Sequence, residues 1–307
     1  MKQTLVSIVI PCYNAEAYVG DAIRSALNQT HPDCEVIVID DGSSDQSLEV
    51  IRSFGDAVTW ASGANHGGCA ARNRGLALAK GHWVQFLDAD DILEPGCVEA
   101  KYSASAVTDE CVCTRVEAMD GASLPAHWFM DSYDLNDIFE KGSPQTGMPL
   151  HLRENLVKVG GFRQGLPCAQ ELDLHMRLAI IGGIRFKTIG EVGLRIRPTP
   201  HSVSRAAGIR MSKTMARVMI DGLQLMRSDE KKFIMFKNSF VTGALTVARR
   251  LWRQGARVEA LELAEVAKSL SPENWTRLGY RNHLAATAAR ILGFARYEEL
   301  HGIFSRK

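Results

Sequence analysis

The sequence predicts an α/β protein whose N-terminal part is a doubly wound, mostly parallel sheet and whose C-terminal part is helical. Between residues 5 and 87, short runs rich in β-branched residues alternate with helical patterns in a β-α-β-α-β-α-β order. The run at 35–39 is continuously apolar after its first residue, which indicates a strand covered on both faces, as in a parallel sheet. Polar stretches follow the strands, where doubly wound folds hold their ligands.

Each element of this part has a local signal. The cluster at 40–45 contains turn and cap residues and precedes a helical pattern. The predicted strands are 5–10, 35–39, 58–61 and 82–87, and the predicted helices are 17–27, 46–54 and 69–79. We expect the strand exits to converge on one crevice; they are 11–14, 40–45, 65–68 and 88–91.

The chain is long enough for two domains, with 307 residues of which 46% are hydrophobic. We place these domains at 1–205 and 206–307. From about residue 211, helical patterns replace the β-branched runs, and one apolar stripe comprises Val241, Leu245, Ala248 and Trp252. We therefore expect the second domain to be a helical accessory region.

The net charge of +1 is unevenly distributed, because the N-terminal part of the sequence is acidic and the C-terminal part is basic. Residues 1–205 carry 18 Lys and Arg against 26 Asp and Glu, whereas residues 206–307 carry 18 against 9. The basic region fits an anionic membrane or partner surface, or a solvated helical face that complements the acidic domain. The segment 249–253 has the composition of an interfacial helix, although a helix packed on its apolar side would look similar. Nucleic acid is not an expected partner, because the basic residues lie outside the predicted crevice and lack interleaved aromatic residues.

Apolar runs and cysteines predict the cellular setting. The apolar runs are shorter than the roughly 20 residues that cross a bilayer, and the N-terminus lacks a signal-peptide pattern. We expect a cytoplasmic protein, with peripheral attachment to the inner face of the membrane as an option. The seven cysteines form no CxxC pair, so we expect reduced and mostly buried thiols.

The most specific chemical signal is the acidic cluster Asp88-Ala89-Asp90-Asp91, directly after a predicted buried strand. Adjacent carboxylates at a strand end repel each other unless a cation neutralises them. Magnesium or manganese, held by one or two carboxylates and completed by diphosphate oxygens, is the cation that suits so few ligands. The alternative is a helix cap formed by Asp90 or Asp91.

Two common nucleotide-binding signatures are missing from the sequence. No GxGxxG follows the first predicted strand, and no GxxxxGK[ST] occurs anywhere. These absences argue against a classical dehydrogenase and a P-loop enzyme.

Four motifs follow one another along the first part of the chain. They are Ser7-Ile8-Val9-Ile10-Pro11-Cys12-Tyr13-Asn14, then Val38-Ile39-Asp40-Asp41-Gly42-Ser43-Ser44-Asp45, then Asn65 with Gly68, Arg72 and Asn73, and finally Asp88-Ala89-Asp90-Asp91. In this order they resemble the motifs of the family 2 glycosyltransferases of the GT-A fold. The resemblance is dense over residues 4–96, sparser to about 205 and absent beyond.

The resemblance implies a nucleotide-sugar site in residues 1–205, with UDP as the expected nucleotide of the donor. It assigns the metal to Asp90, with Asp88 nearer the ribose and the metal shell, and leaves Asp91 as the cap of the next turn. Arg72 is preferred over Arg74 as a contact of the nucleotide or diphosphate, the alternative being that both are surface ion-pair partners. The expected nucleotide-binding residues are Pro11, Tyr13, Asp40, Asp41, Asn65, Gly68, Arg72, Asp88 and Ala89.

The resemblance also assigns a catalytic base for an inverting reaction. Glu171 stands where the family has an aspartate, before a helix whose family pattern is Asp-Leu-Trp-x-Arg-Leu and which here reads Asp173-Leu174-His175-Met176-Arg177-Leu178. The alternative is a structural role at the helix start. Asp173 is expected to be structural, tied to Arg177 at i+4. The glycine turn at 159–162 resembles the one that precedes this helix in the family.

The last motif of the family is a histidine shortly before Ser-x-Ser, which can complete the metal site. His201 lies about two residues later than that pattern, so it is either a metal or diphosphate contact or an ordinary loop residue.

The leading functional interpretation is metal-dependent, inverting transfer of a sugar to a hydroxyl of a glycan, a lipid-linked sugar or another acceptor, in glycan or polysaccharide biosynthesis. The alternatives are a nucleotide-sugar-binding protein that has lost catalysis and a nucleotidyltransferase. The missing basic triphosphate loop argues against the nucleotidyltransferase.

Overall fold

The computed structural model describes residues 4–105, 110–199, 208–280 and 283–304. Its first half confirms the predicted alternation of strands and helices. Four parallel strands lie side by side in the order β3-β2-β1-β4. They are β1 (Val6–Cys12), β2 (Cys34–Asp40), β3 (Thr59–Ser62) and β4 (Trp83–Phe86), and the helices between them are α1 (Val19–Leu27), α2 (Ser47–Arg52) and α3 (Gly68–Leu78).

The second half of the sheet is mixed. The full order over the described residues is β3-β2-β1-β4-β8-β6-β9-β5, with β7 on β9. Of these added pairs, β6 with β9 is parallel, whereas β4 with β8, β6 with β8, β5 with β9 and β7 with β9 are antiparallel. The strands are β5 (Ile92–Leu93), β6 (Glu110–Ala118), β7 (Ser132–Tyr133), β8 (Pro149–Leu152) and β9 (Arg185–Ile196), and the helices are α4 (Cys97–Ala104), α5 (Leu135–Glu140), α6 (Arg153–Lys158) and α7 (Gln170–Gly182).

Close packing of helix on sheet holds the strand ends in place. The central residues Val36 to Ile39 of β2 are buried, as the continuous apolar run predicts. Helix α3 approaches β1 at Gly75, where an added Cβ would lie 2.2 Å from Cγ1 of Val9. Because Gly75 lacks a side chain, α3 packs directly on β1 and keeps Arg72, one turn earlier, near the strand ends.

The C-terminal region is helical, as predicted. Asp229 caps the longest of its helices by accepting a hydrogen bond from the backbone N–H of Lys232 at 3.1 Å. The predicted apolar stripe of Val241, Leu245, Ala248 and Trp252 is buried. The helices are α8 (Gly208–Met226), α9 (Glu230–Arg253), α10 (Arg257–Leu270), α11 (Trp275–Gly279) and α12 (His283–Phe304), which is interrupted at Gly293.

The described residues form two compact units whose sequences interleave. The first unit draws on 1–134, 143–166 and 173–202 and contains the sheet. The second draws on 203–307 together with the short segments 135–142 and 167–172. The last boundary lies close to residue 205, and both short segments come from within the first 205 residues.

All seven cysteines lie in the described ranges and none of them forms a disulfide bond; six of them are buried. Burial raises the pKa of Cys12, Cys34 and Cys113 to about 12, so these thiols stay protonated at neutral pH. Across the described ranges, no helix combines the length and apolarity that a membrane span requires.

Candidate active site

The loops after β1 and β2 are joined by hydrogen bonds. The backbone N–H of Asn14 donates to Oγ of Ser43 at 3.0 Å, and the side-chain oxygen of Asn14 accepts from the N–H of Ser44 at 2.8 Å. Asn14 adopts a positive φ of 48°, which an asparagine tolerates. Tyr13, beside it, is exposed. The two strand exits are therefore tied together, and Tyr13 is exposed beside them.

The carboxylates of Asp40 and Asp41 face the protein, and both residues are 2% exposed. Asp40 accepts hydrogen bonds from the N–H of Ser43 at 3.2 Å and from Oγ of Ser62 at 2.6 Å. Asp41 accepts from the N–H groups of His66 and Gly67 at 3.1 and 2.7 Å. All four oxygens are thus bonded, and Asp41 fixes the loop that contains Asn65 and Gly68.

The third acidic residue of this loop is held as a carboxylate. Burial acts against its charge, but hydrogen bonds donated by Ser47 and by the backbone N–H of Glu16 lower the pKa of Asp45 overall. Its two oxygens accept from Glu16 and Ser47 at 3.0 Å each. Every acidic side chain of the 40–45 loop is therefore stabilised by donors from the protein.

Arg72 binds the first aspartate of the second acidic loop. Its Nη2 lies 2.5 Å from Oδ1 of Asp88, and its guanidinium carbon lies 5.3 Å from the centre of the Phe162 ring. Arg72 is buried rather than a surface residue, while Nη2 of Arg74 donates to the carbonyl of Ser62 at 3.2 Å. The structure thus places Arg72, and not Arg74, beside the acidic loop.

Gln145 binds the other oxygen of the same carboxylate. Its Nε2 donates to Oδ2 of Asp88 at 3.3 Å, and its Oε1 accepts from the N–H of Gly147. The fully buried Lys101 donates to the carbonyl of Gly147 at 3.3 Å and to Oε1 of Gln85 at 2.6 Å. A buried ammonium group therefore anchors the loop that positions Gln145.

Asp90 and Asp91 lie in surroundings that disfavour their negative charges. Burial and the charge of Asp88 raise the pKa of Asp90. Burial and the charges of Asp88 and Asp90 raise the pKa of Asp91 well above its ordinary value. Asp90 accepts one long hydrogen bond from Oγ1 of Thr199, at 3.4 Å. These carboxylates therefore lie in a place that favours a bound cation.

Asp91 does not cap the following turn, so that prediction is wrong. Its Oδ1 accepts from the backbone N–H of Arg197 at 3.0 Å, just past the end of β9. The reason is burial. Asp91 is 3% exposed, so its carboxylate needs a donor inside the protein, and the N–H of Arg197, one residue past the end of β9, supplies it. Arg197 also donates to the carbonyl of Asp90 at 3.2 Å and to Asp21 at 3.2 Å, and it stacks on Tyr18.

The donor set around Asp88 and Asp90 fits a small divalent cation. In the part of the chain that the structure describes, no cluster of three or more His, Cys, Asp or Glu side chains is arranged to hold a metal ion. Magnesium is usually bound through one or two carboxylates, with water and phosphate oxygens filling the remaining positions. The two aspartates suit that mode, whereas zinc requires three or four protein ligands. His201 lies outside the described residues.

Helix α7 contains the predicted base and the predicted structural aspartate. Asp173 is 2% exposed and accepts from Nε and Nη2 of Arg177 at 2.9 and 2.5 Å, which confirms the predicted pair. Arg163 adds a second ion pair at 3.0 Å. Glu171 lies in the first turn of this helix and is half-buried.

The glycine turn before α7 is bound to helix α3. The side-chain oxygen of Asn73 accepts from the N–H of Phe162 at 2.8 Å, and its amide nitrogen donates to the Phe162 carbonyl at 2.7 Å. Gly161 has a φ of +66°, and an added Cβ would lie 2.4 Å from Oδ1 of Asn73. Only glycine fits this position without displacing Asn73.

Sequence reasoning missed Gln145, Thr199 and Arg197. Gln145 stands in a segment without a motif or periodic pattern, so no local signal marks it. Arg197 and Thr199 lie just before His201, the candidate metal-binding histidine, and this closeness in the sequence is the one signal that could have identified them.

The family model described as "Glycosyl transferase family 2" matches residues 7–164 of the 307. The chain therefore belongs to glycosyl transferase family 2. Membership confirms the resemblance and the class of protein, a glycosyltransferase.

Several relatives share the sheet region. An uncharacterized glycosyltransferase of Haemophilus influenzae is 43% identical over 97 residues, which cover 30% of this chain and 39% of that protein. Chondroitin synthases of Escherichia coli and Pasteurella multocida are 42% and 32% identical over 200 and 199 residues, each 61% of this chain. Those alignments cover 28% and 20% of the two synthases, so the chain spans well under half the length of these relatives.

Solved structures support the fold. The fragment 1–349 of S. aureus TarS, in complex with UDP-GlcNAc, has a TM-score of 0.59 at 17% identity, over 94% of this chain and 92% of that one. The mannosyltransferase PcManGT from Pyrobaculum calidifontis, in complex with GDP-Man and Mn²⁺, has a TM-score of 0.54 at 18% identity, over 93% and 86%. The predicted GT-A fold with a helical C-terminal region is confirmed.

Proposed function

We propose that the protein transfers a sugar from a nucleoside diphosphate donor, UDP in the first instance, to an acceptor hydroxyl with inversion at the anomeric carbon. The observation that carries the proposal is the arrangement of the second acidic loop. Arg72 and Gln145 hold the Asp88 carboxylate, and burial and the charge of Asp88 raise the pKa of Asp90. The UDP and UDP-GlcNAc complexes of TarS support the choice of nucleotide. The chondroitin synthase relatives support a role in polysaccharide biosynthesis.

Donor binding is assigned to the loops of the sheet-containing part, residues 1–205. Pro11 and Tyr13 would contact the nucleoside, and Asp40, whose oxygens are bonded to Ser43 and Ser62, would fix the adjoining loop. Asp41 would act through the backbone of the loop that contains Asn65 and Gly68, since its oxygens bond to that loop. Arg72 and Ala89 would line the diphosphate side. Residues 206–307 would serve as an accessory region.

Asp90 and Asp88 are the proposed ligands of Mg²⁺ or Mn²⁺, with His201 as a third candidate. The complex of PcManGT with GDP-Man and Mn²⁺ supports this assignment. A bound divalent ion neutralises charge that develops on a leaving diphosphate. Arg72 and Gln145 would orient the Asp88 carboxylate for that role, since each of them binds one of its oxygens.

Glu171 is the proposed base. The acceptor oxygen attacks the anomeric carbon as its proton passes to the Glu171 carboxylate, and the bond from that carbon to the diphosphate oxygen breaks. The acceptor would be a glycan, a lipid-linked sugar or another hydroxyl compound.

A screen of nucleotide sugars for thermal stabilisation with and without Mn²⁺, followed by product analysis, tests the proposal. We expect one UDP-sugar to stabilise the protein in a metal-dependent way and to be consumed with an acceptor. Glu171→Gln should retain donor binding and lose turnover, whereas Glu262→Gln on exposed helix α10 should match the wild type. Donor binding without turnover in the wild type would indicate an inactive binding protein. Formation of a nucleotide sugar from a nucleoside triphosphate and a sugar 1-phosphate would indicate a nucleotidyltransferase.

We also propose that the protein works at the cytoplasmic face of a membrane, held there by its basic C-terminal region. The excess of 18 basic over 9 acidic residues in 206–307 supports this.

A further inference from the structure

The segment 249–253 is not the membrane-contacting surface that its composition suggests. Leu251 is fully buried and Trp252 nearly so. Arg249 donates to the carbonyl of Gly279, and its guanidinium lies over the Tyr280 ring. The apolar face of this segment is therefore packed within the helical unit, which is the alternative that the sequence left open.

The N-terminal end of the same helix, α9, has the opposite character. No residue from 230 to 238 is buried, whereas ten residues between Ser239 and Trp252 are. Four consecutive apolar residues, Phe233 to Phe236, lie in this uncovered end. Ile234 and Met235 are 60% and 67% exposed. Four consecutive helical residues point around most of the helix circumference, so the apolar surface nearly encircles the helix end.

Basic residues flank this apolar run in the sequence. Lys231 and Lys232 precede it, Lys237 follows it, and Arg227 lies on the preceding turn. The acidic residues next to it in the sequence are Asp229, which caps α9 and pairs with Lys232 at 3.5 Å, and Glu230. The end of α9 thus combines a positive charge with exposed aromatic, aliphatic and thioether side chains.

We propose that the segment Lys231–Lys237 inserts into the interface of an anionic lipid bilayer. A helix segment with exposed apolar residues and flanking lysines has the composition that binds the headgroup region of anionic membranes. A second copy of the chain is a poorer occupant, because two such surfaces would bring like charges together. The proposal gives a location to the peripheral contact suggested above, and it does not depend on the sugar-transfer site.

Co-sedimentation of the full chain with vesicles tests the proposal. The vesicles are phosphatidylcholine alone or phosphatidylcholine with phosphatidylserine, and no donor or metal is present. We expect binding to the anionic vesicles only. The double variant Ile234→Ser/Met235→Ser should bind at least about 10-fold more weakly. The double variant Lys231→Gln/Lys237→Gln should bind about 30-fold more weakly.

A matched control uses another exposed apolar pair. Val258 and Leu261 on α10 are 67% and 38% exposed, with Glu259 and Glu262 beside them rather than lysines. Val258→Ser/Leu261→Ser should leave vesicle binding unchanged. Because all four substituted apolar residues are exposed, circular dichroism melting should show folded variants.

Three outcomes would overturn the proposal. They are equal binding to neutral and anionic vesicles, unchanged binding of the Ile234/Met235 variant, and a wild-type dimer in light scattering that this variant abolishes. Vesicle binding by a protein without transferase activity would refute the proposed sugar transfer and leave this inference intact.

Discussion

The two acidic loops of the sheet-containing unit each contain three aspartates, but the surroundings of their carboxylates differ. In the loop 40–45, the oxygens of Asp40, Asp41 and Asp45 accept hydrogen bonds from hydroxyl and backbone groups. In the loop 88–91, the pKa values of Asp90 and Asp91 are raised by burial and by neighbouring carboxylates. Clustered aspartates therefore do not by themselves indicate a metal site: in the first cluster protein donors hold every carboxylate, whereas in the second the pKa values of Asp90 and Asp91 stay raised.

Substitution of the least compensated carboxylate should have the largest effect. Asp90→Asn removes a proposed metal ligand and should lower the transfer rate about a thousand-fold, since a bound metal contributes several kcal/mol to a transition state. Asp40→Asn should leave the dependence on Mn²⁺ concentration unchanged. Initial rates over a Mn²⁺ titration measure both. An Asp90→Asn protein with the metal dependence of the wild type would remove the distinction between the loops.

Removal of the partner of Asp88 should be next in size. Arg72→Met leaves a carboxylate that is 29% exposed beside two other acidic residues. We expect the free energy of unfolding to fall by about 2 to 3 kcal/mol. This loss is smaller than the roughly 3 to 5 kcal/mol that breaking a fully buried ion pair costs, because Asp88 is partly solvated. Urea denaturation measures it. Adding Asp88→Asn should recover part of the loss, and strictly additive effects would contradict the coupling.

The first loop should show a smaller, purely structural effect. Asp41→Asn places an amide N–H₂ against either the N–H of His66 or that of Gly67, both of which donate to the carboxylate. Loss of one hydrogen bond to a charged group should cost about 2 kcal/mol of stability. Hydrogen exchange at Gly67 should accelerate while metal affinity is retained. A loss of metal affinity would show that the first loop shares the role of the second.

The pH dependence of stability should have opposite signs in the two loops. The lowered pKa of Asp45 contributes stability above its ordinary value and loses it as the pH falls through the lowered value. The raised pKa of Asp91 contributes stability below its ordinary value and loses it as the pH rises through the raised value. Each unit of displacement is worth at most about 1.4 kcal/mol, and less for Asp45, whose partly exposed carboxylate is screened by water.

Urea denaturation between about pH 3 and pH 8, with a chelator present, tests this difference. Relative to the wild type, Asp45→Asn should become less stable as the pH rises, and Asp91→Asn should become more stable. Parallel curves for the two variants would refute the electrostatic contrast.

The sequence predicted the parallel half of the sheet well, because local patterns determine it. The apolar runs of β1, β2 and β4 are short, uninterrupted and bounded by turn residues. The position of β8 between β4 and β6 was not predictable, since four residues at Pro149–Leu152 carry no periodicity and their pairing is long-range.

The same division applies to the site. Arg72 and Asp88 stand in motifs and could be named from the sequence. Gln145, which completes the binding of Asp88, comes from a motif-free loop held by the buried Lys101. The direction of the Asp91 side chain depends on the free N–H of Arg197, more than a hundred residues away. Local signals identify the acidic residues, and tertiary contacts decide what each of them does.

The interleaving of the two units restricts how the protein can be dissected. A gene fragment that stops at residue 205 would keep α5 and lose α9, which covers it. Phe139 packs on Phe240 with ring centres 5.6 Å apart, and Asn136 accepts from Oγ of Ser239 at 2.5 Å. The truncated product would expose that apolar helix and be prone to aggregate. Swapping C-terminal helices between relatives would therefore require residues 135–142 and 167–172 to be exchanged along with them.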